Sequence, residues 1–364
     1  MKLLEQSLLT LLISLMITNC VSVRVTTPEP RIQEIIQKAN DNFYLDERIW
    51  YQDVRGELRD GKIILSGEAF FEIPVQAIGK QLRKAGYDQE IVDEVYYLPE
   101  SFSENKGYAV VTVPYVMSRY EPVDVKQEGT ELIFGEPVRL IRDADPYFQV
   151  QSTTGYLGYI RKNTVRTLTL DEWNDYHAPT QAVFGKNLEL DGGLTIKMGS
   201  RLPYLGNEQL LLPDGSTLAL AKDHYRISDA SSNPIRQQIL DSGKEYLDLP
   251  YVWGGRSSEG VDCSGFVMQS YSLNDLYLPR DTDEMSNTGR IIGLHGWTES
   301  MLPGDLLFFT GSRRLITHVG IYMGDGKVIH SLGSGVQIQS IDPNNEDYAA
   351  RLHSRFIFAK RIFD

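Results

Sequence analysis

Hydrophobic and polar positions divide this chain into stretches of different period. Ile32 to Ala39 carries apolar residues at helical spacing, Lys62 to Phe71 alternates as strands do, and Val75 to Ala85 returns to a helical pattern. Residues 31 to 102 therefore predict a small α+β unit. From Gly107 to about Arg166 the pattern breaks into short strands interrupted by Gly, Pro and acidic turns, which predicts a small β-barrel. Residues 180 to 228 look like a more divergent copy, including Lys197-Met-Gly-Ser-Arg-Leu-Pro203 and Leu212-Pro-Asp-Gly215.

The last third is patterned most sharply. Ser264 to Ser272 predicts a helix that buries Phe266, Val267 and Met268, with Asp262 as its N-cap and Cys263 in its first turn. Thr317 to Leu332 predicts a hairpin, in which Val319, Ile321, Val328 and Ile329 flank the turn Gly324-Asp325-Gly326. Turn length decides which residues share a face. A three-residue loop sets even-numbered positions against even-numbered ones, so that His318 and His330 lie together; a two-residue Asp325-Gly326 turn puts them on opposite faces.

Composition narrows the partners. A chain of 364 residues has material for two or three domains. Its 36 Lys and Arg against 49 Asp and Glu leave a formal net charge of −13 with no basic run, which argues against nucleic acid and for a small or peptide substrate. Paired cysteines, a His-Glu-x-x-His run and a Gly-rich phosphate loop are missing from the sequence, so no metal or nucleotide cofactor is expected.

The candidate chemistry is that of a thiol. A free cysteine becomes a nucleophile when a base and a positive field favour its thiolate, and a helix N-terminus with two following histidines supplies both. One histidine serves as base and the other orients it. Each residue taken singly has a plainer reading, the cysteine as a small core side chain and a histidine as structural.

Six motifs in order decide between these readings. Tyr251-Val-Trp-Gly-Gly255, Asp262-Cys-Ser-Gly-Phe266, Leu278-Pro-Arg-Asp-Thr282, Pro303-Gly-Asp-Leu-Leu-Phe308, His318-Val-Gly-Ile-Tyr322 and His330-Ser331 make residues 235 to 364 resemble the NlpC-type, papain-like cysteine peptidases of bacterial cell walls. The resemblance implies Cys263 as nucleophile, His318 as general base and His330 as the polar third member. It also implies Tyr251 and Trp253 as an aromatic wall, with the Tyr251 hydroxyl as an oxyanion donor, and Ser264, Asp281 and Thr282 as peptide contacts. Arg280 is a candidate partner for a substrate carboxylate.

Phe134-Gly-Glu-Pro-Val-Arg-Leu140 and Gly155-Tyr-Leu-Gly-Tyr159 resemble bacterial SH3-like domains. In one subgroup of the peptidases the first barrel caps the site, and the matching residues here are Glu121 and Tyr156. With Asp262 they would receive a free substrate ammonium. Asp262 is asked to be both N-cap and ammonium ligand, two roles that compete.

The architecture expected is α+β, with a leader at 1–19, a linker at 20–30, the small domain at 31–102, SH3-like barrels at 107–166 and 180–228, and the peptidase domain at 235–364. The implied activity is hydrolysis of the γ-D-glutamyl to diamino acid bond in murein peptides by a monomer. An amidase or acyltransferase on the same fold, or a wall-binding lipoprotein without catalysis, are the alternatives. Met1 to Asn19, with its apolar stretch Leu8 to Ile17, reads as an export signal too short to span a bilayer comfortably. Cys20 follows Leu15-Met-Ile-Thr-Asn19 and resembles a lipid-modified cysteine, although Asn19 replaces the usual small residue; ordinary secretion or an uncleaved anchor are the other outcomes. Lipidation of Cys20 would leave Cys263 without a disulfide partner.

Overall fold

The computed structural model describes residues 30–41, 46–103, 106–124, 128–178, 180–228, 236–311 and 315–363. The leader, Cys20 and most of the linker lie outside them. Two compact units divide the described residues: one takes residues 30–41 and Tyr51–Tyr97, and the other takes Asp46–Trp50 together with the described residues from Leu98 onward.

In the first unit, the hairpin Gln52–Arg59 and Lys62–Ala69 turns at Asp60 and Gly61, both at positive φ. Ile91–Tyr97 then runs parallel to the second strand. The return requires a crossover, which the helix Glu72–Lys84 supplies. Ile32 and Ile36 from the helix Pro30–Asn40 join Ile63, Leu65, Ile78 and Leu82 in the core.

In the second unit, a seven-stranded antiparallel sheet occupies Tyr108–Leu168. Its core is Val111, Leu132, Val138, Leu140, Val150 and Ile160, the inward alternates of short strands. The helix Leu170–Tyr176, closed by a capping box between Thr169 and Glu172, leads to a five-stranded sheet over Gln181–Ser228 packed around Phe184, Leu202 and Leu210.

The C-terminal part is a six-stranded antiparallel sheet against which the helix Cys263–Ser272 packs. The sheet runs in the order Arg290–Leu294, Phe356–Arg361, Leu306–Thr310, Ile316–Gly324, Lys327–Leu332, Gly335–Ser340. Residues 263 to 271 of the helix are all buried, the polar Ser264, Gln269 and Ser270 among them. Phe266, Val267 and Tyr271 meet Tyr246, Phe308, Val319, Ile321 and Ile329, and burial of each large side chain contributes roughly 1.5–3 kcal/mol. Buried Asp305, from the Pro303-Gly-Asp motif, is held by Arg236 at 3.3 Å and by both nitrogens of the Arg361 fork at 2.9 and 2.8 Å, tying the start of the domain to its last strand.

Candidate active site

Asp262 caps the nucleophile helix by accepting from Gly265 N at 2.6 Å, and this fixes Cys263 in the first turn. The thiol is free and buried. Its Sγ lies 3.6 Å from Thr282 Oγ1 and 4.0 Å from the Thr317 carbonyl. Burial, and next the Asp262 charge, push the thiol up to about 11, against smaller lowering by Thr282 and by the Val319 and Ser264 N–H groups. The sequence predicts a thiolate held by the helix; in the structure burial outweighs the helix, and the thiol keeps its proton.

The hairpin settles the turn in a way neither simple alternative anticipates. Gly324 pairs with Lys327 around a two-residue Asp325-Gly326 turn, yet a bulge between Tyr322 and Gly324 restores the register Tyr322 to Val328 and Ile321 to Ile329. Even positions again oppose even ones, and His318 and His330 share a face. A Cβ at Gly320 would sit 3.0 Å from His330 Cβ, so glycine there leaves room for the second ring.

His318 Nε2 lies 3.0 Å from His330 Nδ1, and His330 Nε2 lies 3.1 Å from Gln339 Oε1. An amide oxygen only accepts, so His330 carries its proton on Nε2 and accepts at Nδ1 from His318 Nε2–H. The basic lone pair of the chain is then on His318 Nδ1. Burial pulls His318 down to about 3, helped by the charges of His330 and Arg355, and pulls His330 down to about 4. Cys263 and His318 line one cavity of about 650 Å³. Each charged form alone is disfavoured in this dry site, whereas moving the proton from Sγ to imidazole creates a pair of zero net charge.

On the other side of Cys263 stands a polar cluster. Tyr156, just before the strand Leu157–Arg161 of the seven-stranded sheet, is buried, its hydroxyl 3.5 Å from that of Tyr120, and burial raises its pKa with a further contribution from nearby Asp281. Tyr251, which lines the same cavity as Cys263 and His318, is half-buried, and burial raises its phenol too, with Cys263 the next cause. Trp253 is 63% exposed and is not part of the core. Glu121 is exposed, and no side-chain partner for it occurs among the described residues. Ser264 Oγ donates to Asp262 at 3.3 Å.

Arg280 departs from expectation. It is 2% exposed, pairs through its two terminal nitrogens with Asp262 at 3.1 and 2.7 Å, and reaches Ser264 and Thr130 at 2.9 Å each. Four of its five N–H donors are spent inside the protein, so its observed work is to hold Asp262. Asp262 also accepts from Gly254 N at 2.9 Å. Both carboxylate oxygens thus carry hydrogen bonds inside the protein.

Sequence reading missed four participants. Gln339 follows the last recognisable motif. Tyr120 sits beside Glu121, and the motif match falls on the acid alone. Arg48 lies in the stretch assigned to the N-terminal domain but belongs to the second unit, where it bonds Asp281 at 2.6 Å and Asp283 at 3.0 Å. Glu131, 2% exposed, docks the first sheet on the nucleophile loop by accepting from Arg256 N at 2.7 Å, Ser257 N at 2.8 Å and Ser257 Oγ at 2.8 Å.

Residues 248–354 match the NlpC/P60 family, and the chain carries an NlpC/P60 domain at its C-terminus. A Bacillus cereus protein named gamma-D-glutamyl-L-lysine dipeptidyl-peptidase is 31% identical over 179 residues, 47% of this chain and 53% of that protein. The chain thus spans about half the length of that relative. A Bacillus subtilis protein of the same name is 28% identical over 240 residues, 61% of this chain and 78% of the relative. Among solved structures, an NlpC/P60 family protein from Bacillus cereus shares the fold at a TM-score of 0.61 and 22% identity, over 71% of this chain and all of the other.

Proposed function

We propose that this chain is a cell-envelope cysteine peptidase that hydrolyses the γ-D-glutamyl to diamino acid bond of murein peptides with a free N-terminal L-alanine, releasing L-Ala-D-Glu. The observation that carries the reading is the chain Gln339, His330, His318, which leaves an oriented base in the cavity of the Cys263 thiol. His318 Nδ1 takes the Sγ proton as sulfur attacks the γ-carbonyl carbon. The oxyanion is received by the Cys263 backbone N–H and the Tyr251 hydroxyl. The imidazolium then gives its proton to the leaving amine, and water, activated by the same nitrogen, hydrolyses the thioester.

The amine end is read by Tyr156 and Glu121, whose exposed carboxylate is open to an ammonium, with Asp281 nearby. Acylation of the substrate amine would remove a charge-assisted bond and leave buried groups unpaired. Trp253 walls the cleft, and Ser264 and Thr282 line its floor beside the nucleophile. In this reading the first antiparallel sheet is an SH3-like barrel that caps the site, and the second is a more divergent SH3-like module. Export through the leader, with a lipid on Cys20, belongs to the same proposal. The names of the two Bacillus relatives support the bond class.

The test is product analysis with L-Ala-γ-D-Glu-diaminopimelate. L-Ala-D-Glu and diaminopimelate from the wild type and neither from a folded Cys263→Ala variant would agree with the proposal. Cleavage at another bond, or undiminished turnover by the variant, would refute it.

A further inference from the structure

In this acidic chain most arginines near the surface have found acids. Arg48, Arg55, Arg59, Arg161, Arg166 and Arg226 all form ion pairs with carboxylates. Arg351 and Arg355 are different. Neither has an ion-pair or hydrogen-bond partner for its guanidinium among the described residues, and both line the cavity that holds Cys263 and His318. Among the described residues of that lining there is no aspartate or glutamate. Arg355 is half-buried, where an unpaired guanidinium forgoes some hydration, and Arg351 stands exposed on the short helix Ala350–His353.

The cavity has a definite side. Thr282 meets Sγ from the cluster that contains Asp281 and Tyr156, and none of these three residues lines the cavity. If the amine and the γ-glutamyl group occupy that cluster, the cavity receives what departs from the carbonyl. The departing group is a diamino acid, and a planar guanidinium fork matches a carboxylate in shape and charge.

We propose that Arg351 and Arg355 form a carboxylate-binding subsite for the leaving diamino acid, so that the two ends of the cleft read opposite charges. The proposal rests on the peptidase reading above. Two carboxylates could fill the subsite: the α-carboxylate of a C-terminal diamino acid, or the second carboxylate that diaminopimelate has and lysine lacks.

Four peptides separate the sources: L-Ala-γ-D-Glu followed by meso-diaminopimelate or L-lysine, each as free acid and as α-amide. Wild-type kcat/KM should fall on the order of 10- to 100-fold for whichever change removes the bound carboxylate. A fall on amidation in both series identifies the α-carboxylate. A fall from diaminopimelate to lysine, with little effect of amidation, identifies the side-chain carboxylate. Arg351→Gln and Arg355→Gln should shrink that difference while sparing the peptide that lacks the carboxylate. Equal kcat/KM for all four peptides, or variants that lose all four alike, would overturn the subsite.

Calorimetric binding of the same peptides to Cys263→Ala gives a readout without turnover. Weaker binding of the peptides lacking the carboxylate, abolished by the arginine substitutions, supports the subsite even if the wild type cleaves none of them; in that case the peptidase reading fails alone. Equal binding, or none by any peptide, overturns the subsite, and cleavage of all four at equal rates overturns it while leaving the peptidase intact.

Discussion

His318 Nε2 and His330 Nδ1 stand 3.0 Å apart across a two-strand hairpin, and Gln339 on the next strand fixes which of them holds the proton. A positioning residue thus lies two hydrogen bonds from the base. Gln339→Leu should lower kcat on the order of 10- to 100-fold, part of what a general base contributes, with KM little changed. Gln339→Glu also presents acceptor oxygens and should retain most of the activity while shifting the acid limb of the pH profile upward, because a carboxylate favours protonated His330. Steady-state kinetics across pH tests both, and equal losses in the two variants would argue for packing alone.

Burial sets the acid–base behaviour of the free enzyme. With the thiol pushed up to about 11, alkylation of Cys263 in the absence of substrate should be slow at pH 6 to 8 and accelerate above that range. A rate that already plateaus at pH 6 would mean a standing thiolate. The histidines add a stability signature. Their pKa values are lowered from 6.5 to about 3 and about 4, so the unfolded chain binds more protons below 6.5 and stability falls on acidification from there toward pH 3. At pH 5 each costs about 2 kcal/mol by that linkage. Urea unfolding at pH 7 and 5 should show the difference shrink in His330→Asn.

Glu131 joins the first sheet to the loop before the nucleophile. Its carboxylate is buried, burial raises its pKa, and Arg256 and Ser257 satisfy it. Glu131→Ala would leave the Arg256 and Ser257 N–H groups and the Ser257 hydroxyl without their acceptor, while the Arg256 guanidinium keeps its ion pair with Glu136. Each buried donor left unsatisfied typically costs about 1–3 kcal/mol, so the variant should lose several kcal/mol of stability. Denaturant unfolding of the whole chain checks this, and a change below about 1 kcal/mol would show that the contact is dispensable.

At the amine end, Glu121→Gln should reduce kcat/KM for the free peptide on the order of 10- to 100-fold, and Tyr156→Phe about 10-fold. The N-acetylated peptide, a poor substrate throughout, should respond far less to either substitution. Parallel losses on both peptides would remove these residues from amine recognition.

Local signals carried much of this architecture. Asp262 before Cys263 and an apolar run announced a capped helix, and the alternation around Gly324-Asp325-Gly326 announced the hairpin. The bulge after Tyr322 was not legible, because a register shift of one residue has no signature in alternation alone. Arg280 lies in a polar motif and looks like a surface charge until the fold brings Asp262 and Thr130 around it. Glu131 and Gln339 were invisible for a related reason: each acts on residues that only tertiary packing brings near, Glu131 across 125 positions. The thiol's protonation depends on how fully the site is dried, which the sequence around Cys263 does not encode.

Intact-mass spectrometry after rapid acid quench tests the mechanism most directly. The wild type mixed with L-Ala-γ-D-Glu-diaminopimelate should show a transient L-alanyl-γ-D-glutamyl adduct mapped to Cys263, absent from Cys263→Ala and accumulating little in His318→Ala. Turnover of the peptide with Cys263 never modified, or by the Cys263→Ala variant at the wild-type rate, would contradict the thiol mechanism.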